Sequence, residues 1–311
     1  VEFAIETENL SKSYKTHQAL RRIDLAVRPG TVLGLLGPNG AGKTTAVRIL
    51  ATLLEPTGGR AMVAGYDVAR EPREVRRRIG LAGQYAAVDE LLTGRENLIL
   101  LGTLLHLGRR QAKERAEVLL ERFALTEAAD RSLKTYSGGM RRRLDLATCL
   151  IAEPSVLFLD EPTTGLDPTS RNQLWQTVRE LVGEGVTVLL TTQYLEEADS
   201  LADQVAVIAA GQVIAEGTPD QLKRKVGQER LEITLASRER INAAVALLTA
   251  SSTVAPAVDE DKGTLSLQLD GGIDSIAAIS AALSTAGIAV DDFAIRRPTL
   301  DDVFITLTGS L

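Results

Sequence analysis

Polar and apolar residues alternate from Val1 to Glu8, the period of a half-buried strand, and Gln18 to Arg28 reads as a second strand after a turn. Thr31 to Leu36 is a short unbroken apolar run, the pattern of a strand covered on both faces. A glycine-rich loop follows, and Lys43 to Leu54 takes helical spacing. Pro56 to Gly59 is a turn, and Arg60–Ala64 and Ile79–Ala82 read as further strands. From Leu91 to Ala128 the period becomes helical and charge-rich, which marks a helical insertion. The α/β rhythm then resumes with strand Ser155–Leu159, helix Ser170–Gly183 and strands Thr187–Thr191 and Gln204–Ala209. Strands alternating with helices predict a mostly parallel sheet with helices on both faces.

After Gly217-Thr-Pro219 the pattern changes. Lys223-Arg-Lys225 and Gly227 read as linker, so the chain divides into residues 1–220, a linker 221–228 and a tail domain 229–311, with the helical subdomain at about 86–150. In the tail, strand Arg230–Ala236, helix Arg238–Ala250, strands Thr253–Val258 and Thr264–Leu269, helix Ile273–Ala286 and strand Ala289–Arg296 follow in a β-α-β-β-α-β order. That order predicts a small ferredoxin-like α+β domain, closed by a short helix Leu300–Leu307.

Composition adds limits rather than a function. With 44% hydrophobic and 24% charged residues, the 311-residue chain has the make-up of an ordinary globular protein. A net charge of −6 offers no overall basic footprint for nucleic acid. The single cysteine, Cys149, rules out an internal disulfide and reads as a core thiol, which fits a reducing compartment. The longest apolar stretch, Ile276 to Val290, is interrupted by Ser280, Ser284, Thr285 and Gly287 and falls short of a membrane helix. No basic-then-apolar leader opens the sequence. An association with a membrane is therefore expected to run through a partner.

Three segments carry chemistry. Gly37-Pro38-Asn39-Gly40-Ala41-Gly42-Lys43-Thr44 matches the phosphate-loop pattern in full, between an apolar strand and a helix. Its glycines let backbone N–H groups curl around a polyphosphate, the helix start adds partial positive charge, Lys43 reaches β- and γ-phosphates, and Thr44 offers a hydroxyl to Mg²⁺. Val156 to Leu159 is an apolar strand ending in Asp160 and Glu161, where Asp160 suits Mg²⁺ and Glu161 suits a general base on water. Such an acidic strand end has an equally ready structural reading when taken alone. Tyr136-Ser137-Gly138-Gly139-Met140 followed by Arg141–Arg143 precedes a helix read over Leu144–Ile151. It is either a capped helix with arginines on a solvated face or a second anion site at a helix start.

This last segment, about 15 residues before the acidic strand, resembles the signature motif of the ABC ATPases, and the resemblance covers about Glu6 to Gly217. It implies a P-loop NTPase fold of the ABC type with an antiparallel β edge and a helical subdomain. It also implies that two chains pair head to tail, so that Ser137, Gly138 and Gly139 of one face the γ-phosphate bound by Gly37–Thr45 of the other. By position, Tyr14 matches the aromatic that stacks on adenine. Gln84 matches the glutamine that touches nucleotide and metal and links to the membrane partner, and Asp167 in Gly165-Leu-Asp167 matches the D-loop at the dimer interface. Alone, each reads as a core tyrosine, a loop polar residue and a turn.

One position departs from the pattern: where the family usually has histidine, this chain has Gln193. A neutral amide donor in place of a charged one lowers the rate by about five- to tenfold, the worth of roughly 1 kcal/mol. The segment Thr191–Ala198, the signature segment and the tail Arg296–Phe304 together resemble the daunorubicin/doxorubicin-resistance subgroup. The resemblance implies an ATP- and Mg²⁺-dependent ATPase subunit of a bacterial drug exporter. It would work as a homodimer on the cytoplasmic side of the cell membrane, held by a separate multi-span permease, with no nucleic-acid partner. A soluble ABC ATPase acting on ribosomes or DNA is the alternative. It is opposed by a single phosphate loop and signature and by the lack of a sustained heptad run. A regulatory binder without catalysis has only Gln193 in its favour. The tail offers no ligand cluster and reads as a packing, dimerisation or regulatory module.

Overall fold

The computed structural model describes residues 2–83, 88–226, 230–251, 256–259, 263–268, 272–296 and 298–308, and the chain forms two compact units, Val1–Pro219 and Asp220–Leu311. The first begins with β1 (Ile5–Tyr14), β2 (His17–Val27), β3 (Val32–Leu36), α1 (Lys43–Leu50), β4 (Gly58–Val63), β5 (Tyr66–Asp67), α2 (Pro72–Arg76) and β6 (Ile79–Ala82). The helical insertion holds α3 (Gly94–Leu104), α4 (Arg109–Arg122) and α5 (Gly138–Cys149). The chain then returns through β7 (Val156–Asp160), α6 (Pro168–Gly183), β8 (Thr187–Thr192), α7 (Leu195–Leu201), β9 (Gln204–Ala209) and β10 (Gln212–Gly217).

Two sheets result. The larger runs β10-β9-β3-β8-β7-β6, parallel except for β10 at its edge, and the smaller is the antiparallel edge β2-β1-β4-β5. Every residue of β3, β7 and β8 is buried, yet their side chains still divide with period two. Leu33, Leu35, Val156, Phe158 and Leu189 point into one core with α1 and the antiparallel sheet; Val32, Leu157, Leu159, Val188 and Leu190 point into another with the helical insertion. An unbroken apolar run is what a strand between two cores requires.

The insertion is anchored at its start. Thr93 caps α3 by accepting from the Glu96 backbone N–H at 3.1 Å, and the Glu96 carboxylate accepts from the Thr93 N–H at 2.8 Å, so two otherwise unpaired donors are satisfied reciprocally. α1 is a turn shorter than its sequence pattern suggests: it closes at Leu50, and Thr52 stands at φ +62°. α5, by contrast, begins at Gly138 rather than at Leu144. The Ser137 hydroxyl accepts from the Met140 N–H at 3.2 Å, and that cap draws the two glycines into the helix.

In the second unit, α8 (Pro219–Val226) occupies the stretch read as linker. Proline at its start, Asp220 in the first turn and Lys223–Lys225 in the last all favour a helix. Then follow β11 (Arg230–Leu235), α9 (Ile241–Ser251), β12 (Ala257–Asp259), β13 (Thr264–Gln268), α10 (Gly272–Thr285), β14 (Val290–Arg296) and α11 (Leu300–Thr308). The sheet order β12-β13-β11-β14, antiparallel throughout, is the ferredoxin-like one. Leu231, Ile233, Leu235, Leu265 and Leu267 pack under α9 and α10 in a core of the unit's own.

Candidate active site

The glycine-rich loop sits at the end of β3, and its shape demands glycine for two different reasons. Gly40 and Gly42 stand at φ +81° and +109°, where a side chain is strained. At Gly37 the obstacle is space, since a Cβ there would lie 2.3 Å from the Ile208 carbonyl oxygen. The loop is tied inward by Ala41, whose N–H donates to the Pro38 carbonyl at 3.2 Å and whose carbonyl accepts from Gly211 N–H at 3.0 Å. α1 begins with Gly42 at its cap, no capping side chain and no acidic residue in its first turn. Its leading N–H groups are therefore left for an external anion.

Four side chains meet at this helix start. Lys43 is 4% exposed. Its Nζ donates to the carbonyls of Gly37 at 2.7 Å and Pro38 at 3.1 Å and stands 3.7 Å from Glu161 Oε1. Burial lowers the Lys43 pKa, and the carboxylates of Glu161 and Asp160 oppose that shift. Asp160, at the end of β7, accepts through Oδ1 from the Thr44 hydroxyl at 3.2 Å and from the Thr191 hydroxyl at 2.5 Å. Glu161 follows in a left-handed backbone conformation, φ +51°, pinned by its N–H donating to the Thr191 carbonyl and hydroxyl, both at 3.1 Å. Thr191 on β8 therefore holds the Asp160 carboxylate and the Glu161 backbone, a role that no sequence pattern announces.

The phosphate loop and the acidic strand end, separated by 116 residues between Thr44 and Asp160, are thus one site. Thr45 lies half-buried beside them in α1, while Pro38, Asn39 and Gly40 are exposed at the loop tip. Tyr14 is exposed at the end of β1, with Lys12 Nζ 5.3 Å from its ring centre. Gln193 is exposed directly after β8. Asp167 caps α6, accepting from the Ser170 N–H at 3.0 Å and hydroxyl at 2.6 Å, contacts that hold its carboxyl below the usual range. Gly139 leans on the same Ser170: a Cβ there would lie 2.5 Å from its hydroxyl, whereas nothing lies within 4 Å of one at Gly138. Gln84 lies outside the described residues. Cys149 donates to the Asp145 carbonyl, and burial pushes its thiol up to about 12, so it is unreactive at neutral pH.

Hard oxygen donors from Thr44 and Asp160 suit Mg²⁺, which is held by few protein ligands and completed by phosphates and water. Accordingly, no cluster of three or more His, Cys, Asp or Glu among the described residues could hold a metal alone.

The family model of ABC transporters matches residues 20–164, and that of the ATP-binding protein DrrA1-3-like C-terminal domain matches residues 217–308. The chain is 55% identical to the daunorubicin resistance ATP-binding protein DrrA2 of Streptomyces coeruleorubidus, over 99% of this chain and 95% of that one. It is 52% identical to the daunorubicin/doxorubicin resistance ATP-binding protein DrrA of Streptomyces peucetius, over 98% and 92%. Among solved structures it resembles the ATP-binding subunit of an ABC transporter, with a TM-score of 0.65, 29% identity and coverage of 71% of this chain and 92% of that one. It likewise resembles a dimeric, post-hydrolysis ATP-binding cassette bound to ADP and phosphate, with a TM-score of 0.64, 25% identity and coverage of 69% and 98%. The fold, the phosphate loop joined to an acidic strand end and these similarities lead to one conclusion: the chain belongs to the ATP-binding subunits of ABC transporters, in their daunorubicin/doxorubicin-resistance branch, and is an ATPase.

Proposed function

We propose that the chain powers export of a drug-like compound, working as a homodimer on the cytoplasmic face of a bacterial membrane against a separate multi-span permease. The convergence of Lys43, Thr44, Asp160 and Glu161 on the uncapped start of α1 carries this reading. The N–H groups of Gly40–Thr45 and the Lys43 ammonium hold the β- and γ-phosphates, and Tyr14 stacks on adenine. Thr44 and Asp160, with Gln84, hold Mg²⁺, which when bound offsets the charge gathering on the γ-phosphoryl oxygens. Glu161 accepts the proton of the attacking water, aimed by its pinned backbone. Gln193 donates to the γ-phosphate, and Ser137, Gly138 and Gly139 of the twin close the other side, with Asp167 at the interface.

Docking on a permease is supported by apolar side chains left exposed on the helical insertion: Leu100 and Leu104 one turn apart on α3, with Leu105 beside them. No helix among the described residues is long and apolar enough to cross a membrane, so the cargo route is assigned to the partner. Drug export is read from the relatives, whose names place them in daunorubicin and doxorubicin resistance. The test is Glu161→Gln. That variant is expected to bind ATP with wild-type affinity, to lose hydrolysis by at least about 100-fold and to accumulate as a dimer in Mg²⁺-ATP on size exclusion. Turnover close to wild type would remove Glu161 from its role, and a monomer at saturating ATP would remove the sandwich.

A further inference from the structure

Of the three consecutive arginines after the signature glycines, Arg142 turns inward. Its side chain is 13% exposed. Nε donates to the carbonyl of Pro162 at 2.7 Å, and Nη1 donates both to the carbonyl of Gly83 at 2.7 Å and to Asp145 Oδ2 at 3.0 Å. Its neighbours do other work: Arg141 pairs with Glu90 at 2.9 Å, and Arg143 donates to the Phe123 carbonyl at 3.1 Å.

The identity of those two carbonyls matters. Pro162 directly follows Glu161, and Gly83 directly precedes Gln84. One guanidinium on the second turn of α5 therefore binds the backbone beside the hydrolytic carboxylate and the backbone leading into the nucleotide-sensing glutamine. The network extends to the Gln193 segment. Glu197, fully buried on α7, accepts from the Trp175 indole N–H at 3.2 Å. Burial raises the Glu197 pKa, while the hydroxyls of Thr192 and Thr163, the indole and the positive charge of Arg142 oppose the rise. A planar fork suits this geometry because it satisfies two diverging carbonyls and a carboxylate at once, which a lysine ammonium on a single stem does less well.

α5 is also the helix whose first residues, in the sandwich dimer proposed above, grip the nucleotide of the twin. Its Arg142, however, acts on the catalytic backbone of its own chain. We propose that Arg142 is a positioning residue that couples the two ATP sites: when Ser137–Gly139 engage the twin's nucleotide, the guanidinium carries the movement of α5 to Pro162 and Gly83 and so aligns Glu161 for the protomer's own ATP. The coupling rests on the sandwich reading and adds a direction to it, from the signature of one chain to the carboxylate of the same chain. Hydrolysis at one site then depends on occupancy of the other.

The test uses the full chain carrying Arg142→Lys, which keeps charge and stem, and Arg142→Gln. ATP binding, followed with a fluorescent ATP analogue, should stay within about twofold of wild type, kcat should fall at least about tenfold, and the Hill coefficient for ATP should drop from near 2 toward 1. If Arg142→Gln fails to fold, Arg142→Lys decides alone. A wild-type Hill coefficient retained in Arg142→Lys overturns the coupling, as does a parallel fall of melting temperature, nucleotide affinity and kcat, the mark of a merely structural anchor. A wild-type chain with a Hill coefficient of 1, together with a Glu161→Gln chain that stays monomeric in ATP, overturns the sandwich reading itself and the coupling with it.

Discussion

At the scale of single residues, Gln193 is where this chain differs from the usual ABC pattern. It is exposed directly after β8, the strand whose Thr191 binds the Asp160 carboxylate and the Glu161 backbone N–H. A glutamine amide there donates a neutral hydrogen bond, where a protonated histidine would donate a charged one. Gln193→His is accordingly expected to raise turnover by about five- to tenfold without changing ATP affinity, and a steady-state ATPase assay checks it. Unchanged turnover would mean that the side chain does not reach the phosphate. Some residue roles were legible in the sequence and others were not. The phosphate loop is legible because its glycines answer to positive φ values and to close backbone carbonyls, constraints that only glycine meets. The role of Thr191 and the one proposed for Arg142 were hidden because the site backbone and carboxylate they hold lie 20 to 59 residues away, and a threonine in a strand or an arginine in a basic run carries no mark of that.

At the scale of elements, the start of α5 serves two purposes. Ser137 caps the helix and, in the sandwich reading, meets the twin's phosphate, so its loss should register twice. Ser137→Ala is expected to lower stability by about 1 kcal/mol, the usual worth of a cap, and also to reduce ATPase activity. Thr93→Ala, which removes the equivalent cap from α3, should lower stability by about the same amount and leave the rate per folded molecule unchanged. Chemical denaturation alongside ATPase assays separates the two. The buried strands were readable as continuous apolar runs, and the ferredoxin-like order of the second unit followed from its alternating elements. The short α2 and α7 were not readable, because five and seven residues offer too little periodicity. The α8 helix was missed because its charged last turn looks like linker when the apolar contact at Leu222 is out of view.

At the scale of the molecule, each unit has its own core, and the site residues from Tyr14 to Gln193 lie within the first. A chain ending at Pro219 should therefore retain the ATP affinity of the full chain, measured by titration with a fluorescent analogue. Loss of nucleotide binding on that truncation would show that the first unit does not hold its phosphate loop unaided. The same cut made in a Glu161→Gln background asks whether the second unit contributes to self-association.

The left-handed backbone at Glu161 carries a wider consequence. Any residue with a Cβ is held there at a penalty of about 1 kcal/mol, and glycine alone would escape it. Against that relief stands the Lys43 ammonium, 4% exposed and 3.7 Å from the Glu161 carboxylate, which glycine would leave buried without its counter-charge. Selection for heat resistance alone therefore has no reason to discard this residue, whatever the backbone strain it carries.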